Sequence, residues 1–285
     1  MVEAAITVRM LDKVLLPIDF SEMSMRMFEC ALELRELGSQ NLTLLHVLPV
    51  GQTISPENRK KLEALEEQLH AAGMHTDSLI LYGDPVDSIL AEADKEHVDM
   101  IAMASGGKSR AESFFVGSVS FGVMRRSNKP VLLDKFPVPK EGEPKRECRL
   151  GQVLFRNALV TVDLPQTSPS EMDFFNTLCG RGLSRATLLH VIDSSKYAVS
   201  DDAKFREVKR QLEEIKARPR GGDCEIKTHV HYGSAAYNIL EVIREIDASL
   251  VVIGTKKMSY LKGMLGSTTE EVVRRCPIPL LVVPS

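Results

Sequence analysis

The chain repeats itself at the scale of a whole domain. Lys13-Val-Leu-Leu-Pro-Ile-Asp19 and Asn157-Ala-Leu-Val-Thr-Val-Asp163 are short apolar runs that end in aspartate. Leu44-Leu-His-Val-Leu48 returns as Leu188-Leu-His-Val-Ile192, Tyr82-Gly83 as Tyr232-Gly233, and Gly117-Ser118 as Gly266-Ser267. Arg125-Arg126 before Pro130-Val-Leu-Leu133 returns as Arg274-Arg275 before Pro279-Leu-Leu-Val282. The offset is 144 at the aspartates and histidines, 150 at the Tyr-Gly pairs and 149 at the Gly-Ser pairs. So small a drift marks a duplication with a few loop changes. A unit of about 145 residues far exceeds a solenoid repeat and matches a domain. The boundaries follow: a first copy over 1–136, a linker over 137–150 rich in Pro, Lys, Glu and Gly, and a second copy over 151–285.

Within one copy, apolar runs alternate with amphipathic segments. Val14 to Pro17 suits a strand buried on both faces. Ser21 stands as an N-cap before a periodic segment from Met25 to Leu37, which stops at Gly38. Strands follow at Asn41–Val47, Thr76–Tyr82, Val98–Ala104 and Val131–Leu133. Ser55-Pro56, Asp84-Pro85 and Ser118 open the intervening helices. The second copy has strands at Leu159–Val162, Ala186–Val191, Glu225–His231, Leu250–Ile253 and Leu280–Val283, with a charged helix from Asp201 to Ala217. This alternation predicts an α/β fold: two tandem, doubly wound, five-stranded parallel-sheet domains.

Charge narrows the function. With 36 basic and 39 acidic residues the net charge is −3, so no basic excess is available to neutralise nucleic-acid phosphates. The absence of Trp also disfavours a base-stacking surface. Five cysteines without paired spacing read as free thiols in a cytoplasmic protein. No stretch reaches the length of a membrane span.

Ligands of open parallel sheets bind beyond the carboxyl ends of the strands, where strand order reverses. Asp19, His46, the Ser105-Gly106-Gly107-Lys108-Ser109 loop and Gly117-Ser118 all fall at such ends. The N–H groups opening the Ser118 helix, aided by the Ser118 and Ser120 hydroxyls, suit a phosphate. Asp19 suits an adenine amino group or a ribose hydroxyl. The same residues also admit a plainer reading, in which the glycines make turns and the aspartate caps a helix. A Walker A loop is excluded, because Ala102 replaces its first glycine and Lys108 does not open a helix. His46 and His190, on leucine-lined strands, read as structural. His229 and His231 share a strand face, but two ligands do not make a structural zinc site and the first copy has no such pair. No G-x-S-x-G elbow and no positioned general base is present, so catalytic residues are not expected and any ATP hydrolysis should be slow.

Pro17-Ile-Asp19-Phe-Ser21, the Leu-Leu-His-Val strand and the Gly-rich loop together resemble the universal stress protein family in its tandem form. Nucleotide-binding members carry G-x2-G-x9-G-[S/T]; the first copy reads Ala104-Ser-Gly-Gly107, nine residues, then Gly117-Ser118. The resemblance implies a Rossmann-like fold of the adenine nucleotide alpha hydrolase type and an adenine nucleotide, ATP or AMP, as ligand. Mg²⁺ would accompany a triphosphate. It places Asp19, Pro17 and the Val47 backbone at adenine, Met103, Ala104, Ser105 and Gly107 along ribose and phosphates, and Gly117, Ser118, Val119 and Ser120 at phosphate oxygens. In the second copy Lys257 replaces a glycine and the spacing loses one residue. Lys256 and Lys257 are then either phosphate contacts or solvated loop charges. Asp163, Val191, Gly254, Thr255, Gly266, Ser267 and Thr268 keep the frame of a second, degenerate site. Family members pair through their last strands, so an intramolecular pseudo-dimer is expected, with a further homodimer and an undefined protein partner. The rival readings are a nucleotide-free interaction scaffold and an adenylating enzyme.

Overall fold

The computed structural model describes residues 11–35, 38–105, 116–135, 154–164, 169–197, 201–218, 221–255 and 265–284. The Gly-rich loop with Gly107 and Lys108, the loop with Lys256 and Lys257, and the proposed linker lie outside them. The first half runs β1 (Lys13–Pro17), α1 (Glu22–Leu34), β2 (Asn41–Leu48), α2 (Pro56–Ala71), β3 (His75–Tyr82), α3 (Pro85–Lys95), β4 (Met100–Ser105), α4 (Ser118–Arg126) and β5 (Val131–Lys135). The second half runs β6 (Ala158–Thr161), α5 (Pro169–Gly180), β7 (Arg185–Ile192), α6 (Asp202–Lys216), β8 (Glu225–Tyr232), α7 (Ala235–Glu245), β9 (Leu250–Thr255), α8 (Ser267–Arg275) and β10 (Leu280–Pro284). Two doubly wound α/β units in tandem result, as expected.

All ten strands join one sheet in the order β3-β2-β1-β4-β5-β10-β9-β6-β7-β8. Pairing is parallel within each half and antiparallel at the joint, where Leu132 faces Leu281. Two cores sandwich the sheet. On one face α1, α2, α5 and α6 cover Leu44, Leu132, Leu188 and Leu281. On the other, α3, α4, α7 and α8 cover Leu15, Leu133, Val251 and Leu280. Both cores cross the joint. Arg274 also stacks over Phe121 across it (4.7 Å), and Arg181 pairs with Asp12 (2.8 Å). No helix among the described residues is long and apolar enough to cross a membrane.

Local chemistry explains the element ends. Ser55 and Asp84 cap α2 and α3 through the N–H groups of Asn58 and Asp87, with proline in the first turn of each. Helix α1 begins three residues before the expected Met25, because the Ser21 hydroxyl already accepts the Ser24 N–H (3.2 Å). Strand β4 starts at Met100 rather than Val98, since Val98 N–H still closes α3 onto Ala93. The Tyr-Gly repeat is a chain reversal after β3 and β8. Gly83 (φ 144°) and Gly233 (φ 122°) lie where side chains are strained, and their N–H groups bond Leu48 and Ile192 carbonyls. One expectation is corrected: Cys30 is disulfide-bonded, whereas Cys179, Cys224 and Cys276 form no disulfide. Spacing alone does not show a disulfide, because pairing depends on how close the fold brings two cysteines.

Candidate functional site

Each half reverses its strand order between its first and fourth strands. In the N-terminal half β1 has β2 on one side and β4 on the other, so a crevice opens beyond the ends of β1 and β4. Pro17 ends β1 opposite Leu45, and Ile18 N–H donates to the Leu45 carbonyl (2.8 Å). Backbone groups two residues apart on a strand point the same way. Val47 therefore turns its N–H and C=O toward the β1 side, past the point where β1 has ended.

Asp19 follows β1 and is exposed. Its carboxylate accepts the Ser21 N–H (3.0 Å). Burial raises its pKa, but hydrogen bonds from the Ser21 and Ser24 hydroxyls and from the Ser21 backbone outweigh that and hold it below the usual carboxylate value. Asp19 thus stays anionic, an acceptor for an amino or hydroxyl group. Phe20, next in the chain, has φ 60°, and its ring packs on His46 at 4.8 Å. A left-handed aromatic residue is strained, and such strain gathers at functional sites. Among the described residues the second half has no counterpart at Leu164. Sequence reasoning passed over Phe20, since nothing in residue type signals a positive φ there.

Across the crevice, Met103, Ala104 and Ser105 end β4. Met103 is buried in the core, so it offers main chain only, while Ala104 is half-buried. Gly117 forms the start of α4 with no side chain capping the first amides. Unpaired N–H groups and the helix dipole make that end attractive to an anion. The Gly117 backbone is ordinary (φ −55°), and an added Cβ would approach only Ser120 Oγ, at 4.0 Å. Among the described residues nothing else fills that space. Ser118 is exposed there and Val119 half-buried. Ser120 is buried and donates its hydroxyl to the Ala104 carbonyl (3.1 Å), tying α4 to β4.

The second half keeps the frame and changes the lining. Asp163 is exposed after β6, and Val191 has the orientation of Val47, because Val162 N–H bonds the Leu189 carbonyl. Gly266 begins α8 with no neighbour among the described residues within 4 Å of an added Cβ, Ser267 is exposed and Thr268 half-buried. Gly254 and Thr255 end β9. A side chain at Gly254 would overlap the Glu171 carboxylate, the far end of a flexible side chain that would then have to move aside. Glu171 is 9% exposed and brings a carboxylate over the end of β9. Thr269 donates to the Gly254 carbonyl (3.1 Å), the counterpart of Ser120.

The repeated histidines have a structural explanation. His46 Nδ1 lies 2.7 Å from the Ile18 carbonyl and His190 Nδ1 2.7 Å from that of Val162. Each pins the chain leaving the first strand to the end of the second. Burial holds the His190 pKa below its usual value, despite the Val162 carbonyl and Asp163.

Sheet order, switch-point crevices and open helix starts define a tandem pair of Rossmann-like α/β domains. The universal stress protein family model matches residues 10–135 and 154–284, and the chain belongs to that family. It is similar to universal stress protein MJ0577 of Methanocaldococcus jannaschii, 27% identical over 155 residues, covering 44% of this chain and 96% of the relative. A universal stress protein of Archaeoglobus fulgidus shares the tandem fold with TM-score 0.73 at 24% identity, covering 96% of this chain and 98% of that one. A Pseudomonas aeruginosa PAO1 protein described as functionally unknown matches with TM-score 0.71 at 16% identity, over 96% of this chain and 94% of its own.

Proposed function

We propose that the N-terminal half binds an adenine nucleotide, ATP or AMP, in the crevice between β1 and β4, and that the protein is a nucleotide-responsive regulator. The carrying observation is the open start of α4, where Gly117 leaves space over uncapped amides across from an anionic Asp19. Asp19 and the Val47 main chain hold the base, the end of β4 and Gly107 follow the sugar and phosphates, and the α4 amides with Ser118 take the phosphate oxygens. A triphosphate would bring Mg²⁺. On this reading residues 1–136 and 151–285 are the domains and 137–150 the linker.

The C-terminal half follows the scaffold reading, favoured by the Glu171 carboxylate at its crevice. On this reading it is the partner of the binding half in an intramolecular pseudo-dimer, a role supported by the pairing of β10 with β5. Calorimetric titration with ATP and with AMP tests the proposal. One nucleotide per chain is expected, lost on Asp19→Ala with Gly117→Val and kept on Asp163→Ala with Gly266→Val. Binding that survives the first pair, or vanishes only with the second, refutes the assignment.

A further inference from the structure

The two halves can be compared position by position where β3, α3 and β4 map onto β8, α7 and β9 at a constant offset of 150 residues. At one spot three neighbouring positions change together. Leu79, Leu81 and Lys95 of the first half become His229, His231 and Glu245 of the second. Leu79 and Leu81 pack against the core under α3. Their counterparts are imidazoles on the same sheet face, with rings 6.0 Å apart and 12° from parallel. Helix α7 runs back along β8 and brings Glu245, in its last turn, to the pair. One ligand atom from each of the three lies within 4.8 Å of the others.

The details favour a metal over a chance cluster. The Asn238 amide donates to the Tyr232 and Ser234 carbonyls (3.2 and 2.9 Å), which fixes its oxygen toward His231 Nδ1 at 3.1 Å. That nitrogen must then carry the proton, and Nε2 keeps its lone pair, as an outer-shell partner arranges for a ligating histidine. His229 Nδ1 is buried without a hydrogen-bond partner. Lys227, the nearest cation on β8, is already paired with Glu225 (3.4 Å). His229 and Glu245 also line a cavity of 240 Å³, with Arg185 and Asn157 on its wall. It opens at the amino-terminal ends of β6, β7 and β8, the opposite edge of the sheet from the crevices.

We propose that His229, His231 and Glu245 bind a divalent transition-metal ion of the zinc class, with a coordination position left open to the cavity. Two imidazoles and a carboxylate are a donor set zinc accepts, with about 2.0–2.2 Å bonds and hence ligand atoms roughly 3.3–3.5 Å apart. Side-chain rotation closes the remaining gap, with exposed Glu245 the freest of the three to move. The ion would clamp the edge strand β8 to the end of α7.

Chelator-treated full-length protein is titrated with Zn²⁺ against a chromophoric competitor, and with Co²⁺ as spectroscopic probe. One ion per chain is expected, with Co²⁺ ligand-field bands and no thiolate charge-transfer band. His229→Leu with His231→Leu restores the residues of the other half, and Glu245→Gln changes only an exposed side chain, so both should fold. The double variant should lose affinity by about 100-fold or more, and Asn238→Ser by about 10–100-fold. Zn²⁺ should raise the Tm of the parent protein but not of Glu245→Gln. Equal zinc affinity in parent and double variant, or a thiolate signature, overturns the proposal.

Discussion

Replacing Gly117 by alanine separates what the fold needs from what a ligand needs. The backbone there has φ −55° and ψ 148°, open to any residue, and an added methyl meets nothing nearer than Ser120 Oγ at 4.0 Å. Two small terms oppose each other. Reduced freedom of the unfolded chain favours alanine by about 0.4–1 kcal/mol. Alanine is the poorer N-cap, and relative to glycine costs roughly 0.5–1.5 kcal/mol. The net should stay within about 1 kcal/mol, or about 2–4 °C in Tm. Nucleotide binding should respond far more. The methyl group would hold a phosphate off the α4 amides, and losing one charge-assisted hydrogen bond costs about 1.5–3 kcal/mol. That is about 10–150-fold in Kd. Thermal melts by circular dichroism and calorimetric titrations with ATP and AMP would be run on Gly117→Ala and Gly266→Ala side by side. Both should melt near the parent, and only Gly117→Ala should bind weakly. If it binds as tightly as the parent, or if Gly266→Ala weakens binding equally, the crevice has been misplaced. A much larger fall in Tm would mean the fold itself requires this glycine.

Two further predictions concern the frame. Leu132 and Leu281 face each other across β5 and β10 at 2% exposure each, so either change to alanine should cost about 2–5 kcal/mol in denaturant unfolding. The double variant should depart from additivity by about 0.5–3 kcal/mol; strict additivity would show that the two leucines do not pack together. His190, with its folded pKa depressed chiefly by burial, binds its proton less readily folded than unfolded. Its stability contribution is therefore complete above the unfolded value of about 6.5 and is lost as pH falls through that value toward the lower folded one. The fall in Tm over this window should shrink in His190→Asn, whose amide still donates to the Val162 carbonyl; an unchanged profile would assign the acid sensitivity elsewhere.

Fold class was legible because β1, β4 and their counterparts are buried on both faces, and so read as continuous apolar runs between capped helices. Ser55-Pro56 and Asp84-Pro85 announced their helices through chemistry local to a few residues. The site was legible only in outline. Asp19 could be placed by a strand end and Gly117 by a helix start, whereas Val47 came only with the family resemblance. Phe20 could not be placed, because neither its φ of 60° nor its ring contact with His46 leaves a signal in the local sequence. Glu171 escaped notice for a similar reason: only the docking of α5 carries that carboxylate over Gly254. Glu245 is fourteen positions beyond His231, a spacing that means nothing until α7 folds back along β8.

Several of the repeated residues serve the frame rather than the site. His46 and His190 repeat because each pins a strand exit to its neighbour, and Gly83 and Gly233 repeat because each chain reversal needs a left-handed residue. Ser120 and Thr269 repeat as bonds from a helix start to a strand end. All of these serve the shared frame. Differences in chemistry fall instead where the frame tolerates them: strained Phe20 against Leu164, Ala104 against a Gly254 overlain by Glu171, and Leu79, Leu81 and Lys95 against His229, His231 and Glu245. Because the halves share one sheet and two continuous cores, each can lose or change a site while the other helps hold the fold. Tests that exchange residues between matching positions, such as His229→Leu with His231→Leu, therefore probe function with little risk to folding, since the other half already folds with those residues.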